Sequence, residues 1–250
     1  MKTTVVLALL LTAMSASAQS PSTITTGRFT WETVQRGELK YLLHVPAGAT
    51  TDPTKRWPLL LFLHGAGERG ADVQRAGIHG PLKHVRAGTN FPFLIVAPLC
   101  PAEERWQPAP LLQLLDRLET EQPVDTNRVY VTGLSMGGFG TWALGLAAPE
   151  RFAALAPVCG GATFIDLLLG SRDRAAVVKS LPIWAFHGAR DSVVPVDESE
   201  RAVRTLQRLG AKNVKLTVYP EAEHDSWSET YANPAFYEWL LAQERKDGGR

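Results

Sequence analysis

The chain has 250 residues, of which 45% are hydrophobic and 20% charged. That is enough to bury a sizeable core, and α/β chains of this length often form one domain. Its 26 basic and 25 acidic residues leave a formal charge of +1 with no run of either sign, so there is no electrostatic footprint for nucleic acid or a membrane surface, and a small, weakly charged substrate is the expectation.

The first twenty residues, MKTTVVLALLLTAMSASAQS, place a basic Lys2 before an apolar run from Val5 to Leu11. The small-residue sequence Ala16-Ser17-Ala18 follows. This is the pattern of a cleavable secretory signal over residues 1–18, cut after Ala18, and the apolar run is far shorter than the ~20 residues that span a bilayer. The expectation is an exported protein, periplasmic or extracellular if the source is bacterial, with residues 19–250 as a single α/β domain.

Past that point strand-like and helix-like segments alternate without a linker or repeat. Apolar, β-branched runs predict strands over Leu39 to His44, Pro58 to His64, Phe93 to Pro98 and Val129 to Thr132. Ala153 to Val158, Ile183 to His187 and Val214 to Tyr219 continue the series. Helical spacing marks Leu111 to Leu118, Phe139 to Ala148 before Pro149, and Asp197 to Leu209 before Gly210. Such alternation predicts a mostly parallel sheet with helices on both faces, and function beyond the carboxyl ends of the strands.

One segment of this series, VYVTGLSMGGFGTWAL at residues 129–144, breaks from strand to helix around Ser135. In a G-x-S-x-G turn, Gly133 and Gly137 leave room for a sharp corner. The corner exposes the serine hydroxyl above the strand ends, and the following helix offers unpaired N–H groups to a developing anion. A bare match could be only a glycine-rich turn, but here it stands between an expected strand and an expected helix, as a nucleophile elbow requires.

A serine hydroxyl is a weak nucleophile alone and needs a base and an orienting acid, in chain order Ser, acid, His. Four of the six histidines, His44, His64, His79 and His84, precede Ser135. Of the other two, only His224 follows Asp191, the best-placed acid, on the loop after the Ile183 to His187 strand. His224 is therefore the candidate base. Asp166 is the alternative acid. His187 reads as a structural strand-end histidine, and Glu221, Glu223 and Asp225 as a solvated acidic rim.

The oxyanion hole is expected from the Met136 N–H and from Ala66 N–H in the glycine loop His64-Gly65-Ala66-Gly67. No H-E-x-x-H or Cys/His ligand spacing is present, which argues against a metal site. Among the aromatics, Trp106 and Trp227 on loops are the candidates for substrate contact and Phe139 a possible pocket wall, whereas Trp142 reads as core. Cys100 and Cys159 follow expected strands on one rim of the sheet. A disulfide needs Cα atoms within about 7 Å, and these strands are not expected to be neighbours, so two buried thiols are favoured over a bridge.

The segments LHGAGERG, APLCP, YVTGLSMGGFGTWAL, PVCGG, FHGARDSVVPV and YPEAEHDSWSETYANPAFYEWLL resemble the predicted-peptidase or esterase family of α/β-hydrolases. That family is similar to feruloyl and acetyl-xylan esterases, polyhydroxybutyrate depolymerases and dienelactone hydrolases. The likeness runs from about Arg28 to Gln243 and implies an eight-stranded α/β-hydrolase sheet without metal or organic cofactor. It also implies Ser135 as nucleophile, Asp191 as acid, His224 as base, and Ala66 and Met136 as oxyanion donors. Dienelactone hydrolases use a cysteine where this chain has Ser135. The resulting expectation is a secreted serine esterase acting on small-molecule or carbohydrate-linked esters with short acyl or aryl groups. A small peptidase of prolyl-oligopeptidase type and an inactive hydrolase fold used for binding are the alternatives.

Overall fold

The computed structural model of the protein describes residues 37–50 and 54–245; the expected export signal, residues 1–18, lies outside them. Seven strands form one sheet: β1 (Tyr41–His44), β2 (Trp57–Leu63), β3 (Leu94–Pro98), β4 (Val124–Leu134), β5 (Ala154–Val158), β6 (Ile183–Gly188) and β7 (Val214–Tyr219). Their spatial order is β1-β3-β2-β4-β5-β6-β7. β1 runs antiparallel to β3, and every other pair is parallel. The sheet is thus mostly parallel, with seven strands among the described residues where the resemblance implies eight.

Eight helices accompany it among the described residues: α1 (Pro81–Arg86), α2 (Pro108–Glu121), α3 (Met136–Ala147), α4 (Phe164–Asp173), α5 (Ala175–Ser180), α6 (Asp197–Arg208), α7 (Trp227–Ala232) and α8 (Pro234–Leu241). All seven residues of β2, WPLLLFL, are buried, because helices cover both faces. On one face Leu59, Leu61 and Leu63 pack with Leu111, Leu115 and Leu118 of α2, Trp142 of α3 and Leu206 of α6. On the other, Leu60 and Phe62 pack with Leu82 of α1, Tyr231 of α7 and Phe236 and Leu240 of α8. Each such side chain contributes about 1.5–3 kcal/mol by leaving water.

The strand order decides where the site can be. β3 lies on one side of β2 and β4 on the other, so the loops that follow β2 and β4 part company at this switch point and leave a crevice between them. Leu63 pairs with Gly133 in register, which sets the glycine loop after β2 beside Ser135. The same order separates the two cysteines. β2 and β4 intervene between β3 and β5, so the strand ends stand three spacings of ~4.8 Å apart, beyond disulfide reach. Cys100 and Cys159 are free and buried.

Candidate active site

Ser135 sits at φ 52°, ψ −116°, a backbone conformation that costs an L-residue about 1–3 kcal/mol and is held only where the surroundings enforce it. They do so here through the flanking glycines. A Cβ on Gly133 would lie 2.5 Å from Gly137 O and 2.6 Å from Leu63 O, and one on Gly137 would overlap Leu63 O. The corner is pinned from the other side by Ser135 N–H donating to Val158 O at 2.9 Å. Helix α3 starts at Met136, directly after the corner, so the N–H groups of its first turn lack partners within the helix.

Asp191 and His224 arrive on the loops after β6 and β7. Those two strands pair along their whole length from Ile183↔Val214 to Gly188↔Tyr219, and the loops are tied together by Ala189 N–H to Tyr219 O (2.9 Å) and Arg190 N–H to Ala222 O (3.0 Å). His224 Nδ1 lies 2.7 Å from Asp191 Oδ2, and His224 Nε2 lies 3.0 Å from Ser135 Oγ. A carboxylate only accepts, so Nδ1 carries the imidazole proton and Nε2 is free to accept from the serine hydroxyl.

The Asp191 side chain has no solvent exposure. Its burial pushes the carboxyl pKa up, but the hydrogen bond from His224 and the Val194 and Val193 N–H groups, at 2.8 and 2.9 Å on Oδ1, outweigh burial and hold it below the usual range. Asp191 is therefore a carboxylate across the neutral range. Asp166, the alternative acid, stands exposed in the first turn of α4, and Arg190 pairs with Glu221 rather than Asp191. Asp225 accepts from Ser228 N–H at the start of α7.

The glycine loop is held by its own side chains. His64 Nε2 accepts from Cys100 N–H at 3.0 Å and Nδ1 donates to Gly65 O at 2.7 Å; burial lowers the His64 pKa. Trp106 Nε1 donates to His64 O at 3.0 Å, with its ring edge-on to the His64 imidazole. Arg69 donates to Ala66 O and Arg75 to Gly67 O. Because these carbonyls are occupied by guanidinium groups, the orientation of the peptide units carrying the Ala66 and Gly67 region is restrained.

Beside Ser135 opens a cavity of about 450 Å³, lined by Ser135, Met136, Phe139, Ala143 and Leu146 around α3, by Trp106, and by Ala162. Arg105, Thr163 and Asp166 add polar groups to its wall. Trp106 thus both lines the cavity and braces the loop. Trp227 stands elsewhere, its ring edge-on to His224 at 5.3 Å and to His79 at 5.7 Å, and so backs the imidazole. Trp142 is fully buried. Arg105, Ala162 and Thr163 carry no distinguishing pattern in the sequence, since they meet only when the loops after β3 and β5 converge on α3.

Among the described residues no group of three or more His, Cys, Asp or Glu side chains is arranged to hold a metal ion, and no helix is long and apolar enough to cross a membrane. Chemically, a strained hydroxyl hydrogen-bonded to an imidazole that is itself oriented by a buried carboxylate can attack an electrophilic carbon while passing its proton to the imidazole.

Residues 107–233 match the model of the Phospholipase/Carboxylesterase family. Over 224 residues the chain is 27% identical to a protein named Probable feruloyl esterase C from Aspergillus terreus, covering 86% of this chain and 77% of that one. It is 28% identical over 136 residues to Poly(3-hydroxyalkanoate) depolymerase C of Paucimonas lemoignei, covering 50% of this chain but only 32% of the depolymerase. A solved structure described as a thermostable esterase superposes with a TM-score of 0.69 at 33% identity, covering 83% of this chain and 60% of that chain. With just over half of its residues inside the family match and a mostly parallel sheet flanked by helices, the chain belongs to the phospholipase/carboxylesterase family of α/β-hydrolases.

Proposed function

We propose that this protein is an exported serine carboxylesterase in which Ser135 is the nucleophile, His224 the base and Asp191 the orienting acid. The observation that carries the reading is the unbroken chain Asp191 Oδ2 to His224 Nδ1 (2.7 Å) and His224 Nε2 to Ser135 Oγ (3.0 Å) at the mouth of the cavity. Ser135 Oγ attacks the ester carbonyl as His224 takes its proton. His224 then returns the proton to the departing alcohol, and Asp191 stabilises the imidazolium in between. The N–H groups of Ala66 and Met136 stabilise the oxyanion, and water releases the acid from the acyl-enzyme.

The cavity supports short acyl or aryl groups, because its volume is at the low end of small-molecule sites and its wall is mostly apolar and aromatic. Esters of sugars or small phenols are the proposed substrates, in keeping with the names of the relatives. Export rests on the signal pattern and is checked by sequencing the mature N-terminus, expected at Gln19.

The deciding experiment compares kcat/KM for an ester and an amide that share one acyl group. An amide nitrogen needs protonation as it departs and usually needs binding energy from an extended peptide, whereas an activated ester needs little beyond nucleophile, base and oxyanion hole. The ester is expected to be cleaved at least about a hundredfold faster, about 2.7 kcal/mol in transition-state stabilisation. Equal rates, or a faster amide, would favour a peptidase instead.

A further inference from the structure

We propose that His187 is a positioning residue for Asp191, held doubly protonated as a buried imidazolium between the Asp191 carboxylate and the Ser199 hydroxyl. The proposal rests on the reading of Asp191 as the catalytic acid. His187 is the penultimate residue of β6 and has no solvent exposure. Its Nε2 faces two groups that can only accept, Val194 O at 2.9 Å and Asp191 Oδ2 at 3.2 Å, so Nε2 bears a proton.

The other nitrogen is decided by a chain of contacts. Nδ1 lies 2.8 Å from Ser199 Oγ, and Ser199 Oγ lies 2.7 Å from Gly160 O. The carbonyl has no proton and the hydroxyl has one. That proton cannot serve both neighbours, so a hydrogen fills both contacts only when Ser199 donates to Gly160 O and Nδ1–H donates to Ser199. Both ring nitrogens then carry protons. Ser199 is itself fully buried, where a contact between two lone pairs has no water to relieve it.

A buried cation needs a counter-charge, and Asp191 supplies it. The carboxylate then accepts three hydrogen bonds, from His224 on Oδ2 and from Val193 and Val194 N–H on Oδ1, and has the His187 ring nitrogen 3.2 Å from Oδ2 as its ion-pair partner. The charges around His187 are otherwise accounted for. The Cys159 thiol at the end of β5 is pushed up to about 12 by burial and stays neutral, Glu198 and Arg201 on α6 pair with each other, and the residue opposite on β7 is Val218. Across Asp191 stands His224. A fixed positive charge on the far side of Asp191 weakens the pull of the carboxylate on a proton at His224.

The test is long-range ¹H–¹⁵N correlation of the histidine rings in ¹⁵N-labelled full-length protein, with His187 assigned through its contacts to Val194 and Ser199. Protonated-type shifts at both His187 nitrogens are expected in the folded protein at pH 7, and an unprotonated-type shift at either nitrogen overturns the proposal. Ser199→Ala removes the acceptor for Nδ1–H, so His187 loses its charge and the acid limb of kcat/KM moves up by about one pH unit; an unmoved limb in folded Ser199→Ala also overturns it. If that variant fails to fold, the wild-type spectrum decides alone. The protonation state is read without turnover, so its failure is distinct from a failure of the esterase reading, which Ser135→Ala tests.

Discussion

His224 Nε2 stands 3.0 Å from Ser135 Oγ across 89 positions of sequence. The contact exists because β4 and β7 point their carboxyl ends to the same rim, one ending in a corner that lifts the serine and the other in a loop stitched to the loop after β6. If the two side chains act as one unit, removing either disables the same step. Ser135→Ala and His224→Ala are each expected to lower kcat on an activated short-chain ester by about 10⁵–10⁶, and Asp191→Asn by about 10⁴. Asp166→Asn is expected to stay within a few-fold of wild type. Reversed aspartate results would sink the acid assignment.

The pH profile follows from which groups titrate. The base accepts a proton only when neutral, so kcat/KM is expected to rise along a single acid limb and to hold on the alkaline side. Asp191, with its pKa lowered by its hydrogen bonds, is already ionised there and adds no second limb. An acid optimum in a rate profile measured from pH 4 to 9 would exclude the mechanism.

The same lowered pKa has a consequence for stability. A carboxyl whose folded pKa lies below its unfolded value stabilises the fold above the ordinary carboxylate range, and this contribution is lost as pH falls through the lower folded value. Urea unfolding between pH 5 and 3 is therefore expected to lose stability more steeply in wild type than in Asp191→Asn, by up to about 1.4 kcal/mol per pH unit. Parallel slopes would show that Asp191 is not held ionised by the fold.

Trp106 joins the cavity wall to the glycine loop through its bond to His64 O. Trp106→Phe keeps most of the ring but leaves a buried carbonyl without that donor, a loss of about 1–3 kcal/mol. The expected result is a melting temperature lower by a few degrees together with a roughly tenfold lower kcat, as the loop carrying Ala66 loosens. A lower melting temperature with unchanged kcat would separate the brace from catalysis.

The cavity is narrow enough for one added ring to matter. Ala143 lines it from α3, and Ala143→Phe is expected to lower kcat/KM for aryl esters at least about tenfold relative to the acetyl ester, about 1.4 kcal/mol of selective exclusion. An unchanged ratio would place the acyl group somewhere other than this cavity.

Much of this arrangement was legible in the linear sequence, because the signals are local. Apolar runs mark the seven strands, and β7 has the bounds that its residues predict, Val214–Tyr219. The elbow could be read because a sharp corner requires glycine at Gly133 and Gly137, whatever surrounds it. Chain order alone left His224 as the base to be tried. Boundaries were less legible. α3 starts at Met136 rather than Phe139, since close packing on Leu63 O keeps Gly137 helical against its propensity. β4 starts at Val124 rather than Val129, because pairing with Trp57 extends it through a polar stretch.

The rest was decided by tertiary structure, because it depends on which loops face one another. The sheet order put two strands between those that lead to Cys100 and Cys159 and left both thiols free. Convergence of the loops after β3 and β5 on α3 built the cavity and made Trp106 one of its walls, while Trp227 was turned against His224 instead. His187 shows the difference most plainly. Its place at a strand end could be read from the sequence, but its contacts with Asp191 on the next loop and Ser199 on α6 arise only when three segments pack into one buried space. There, geometry rather than local composition determines which nitrogen can hold a proton.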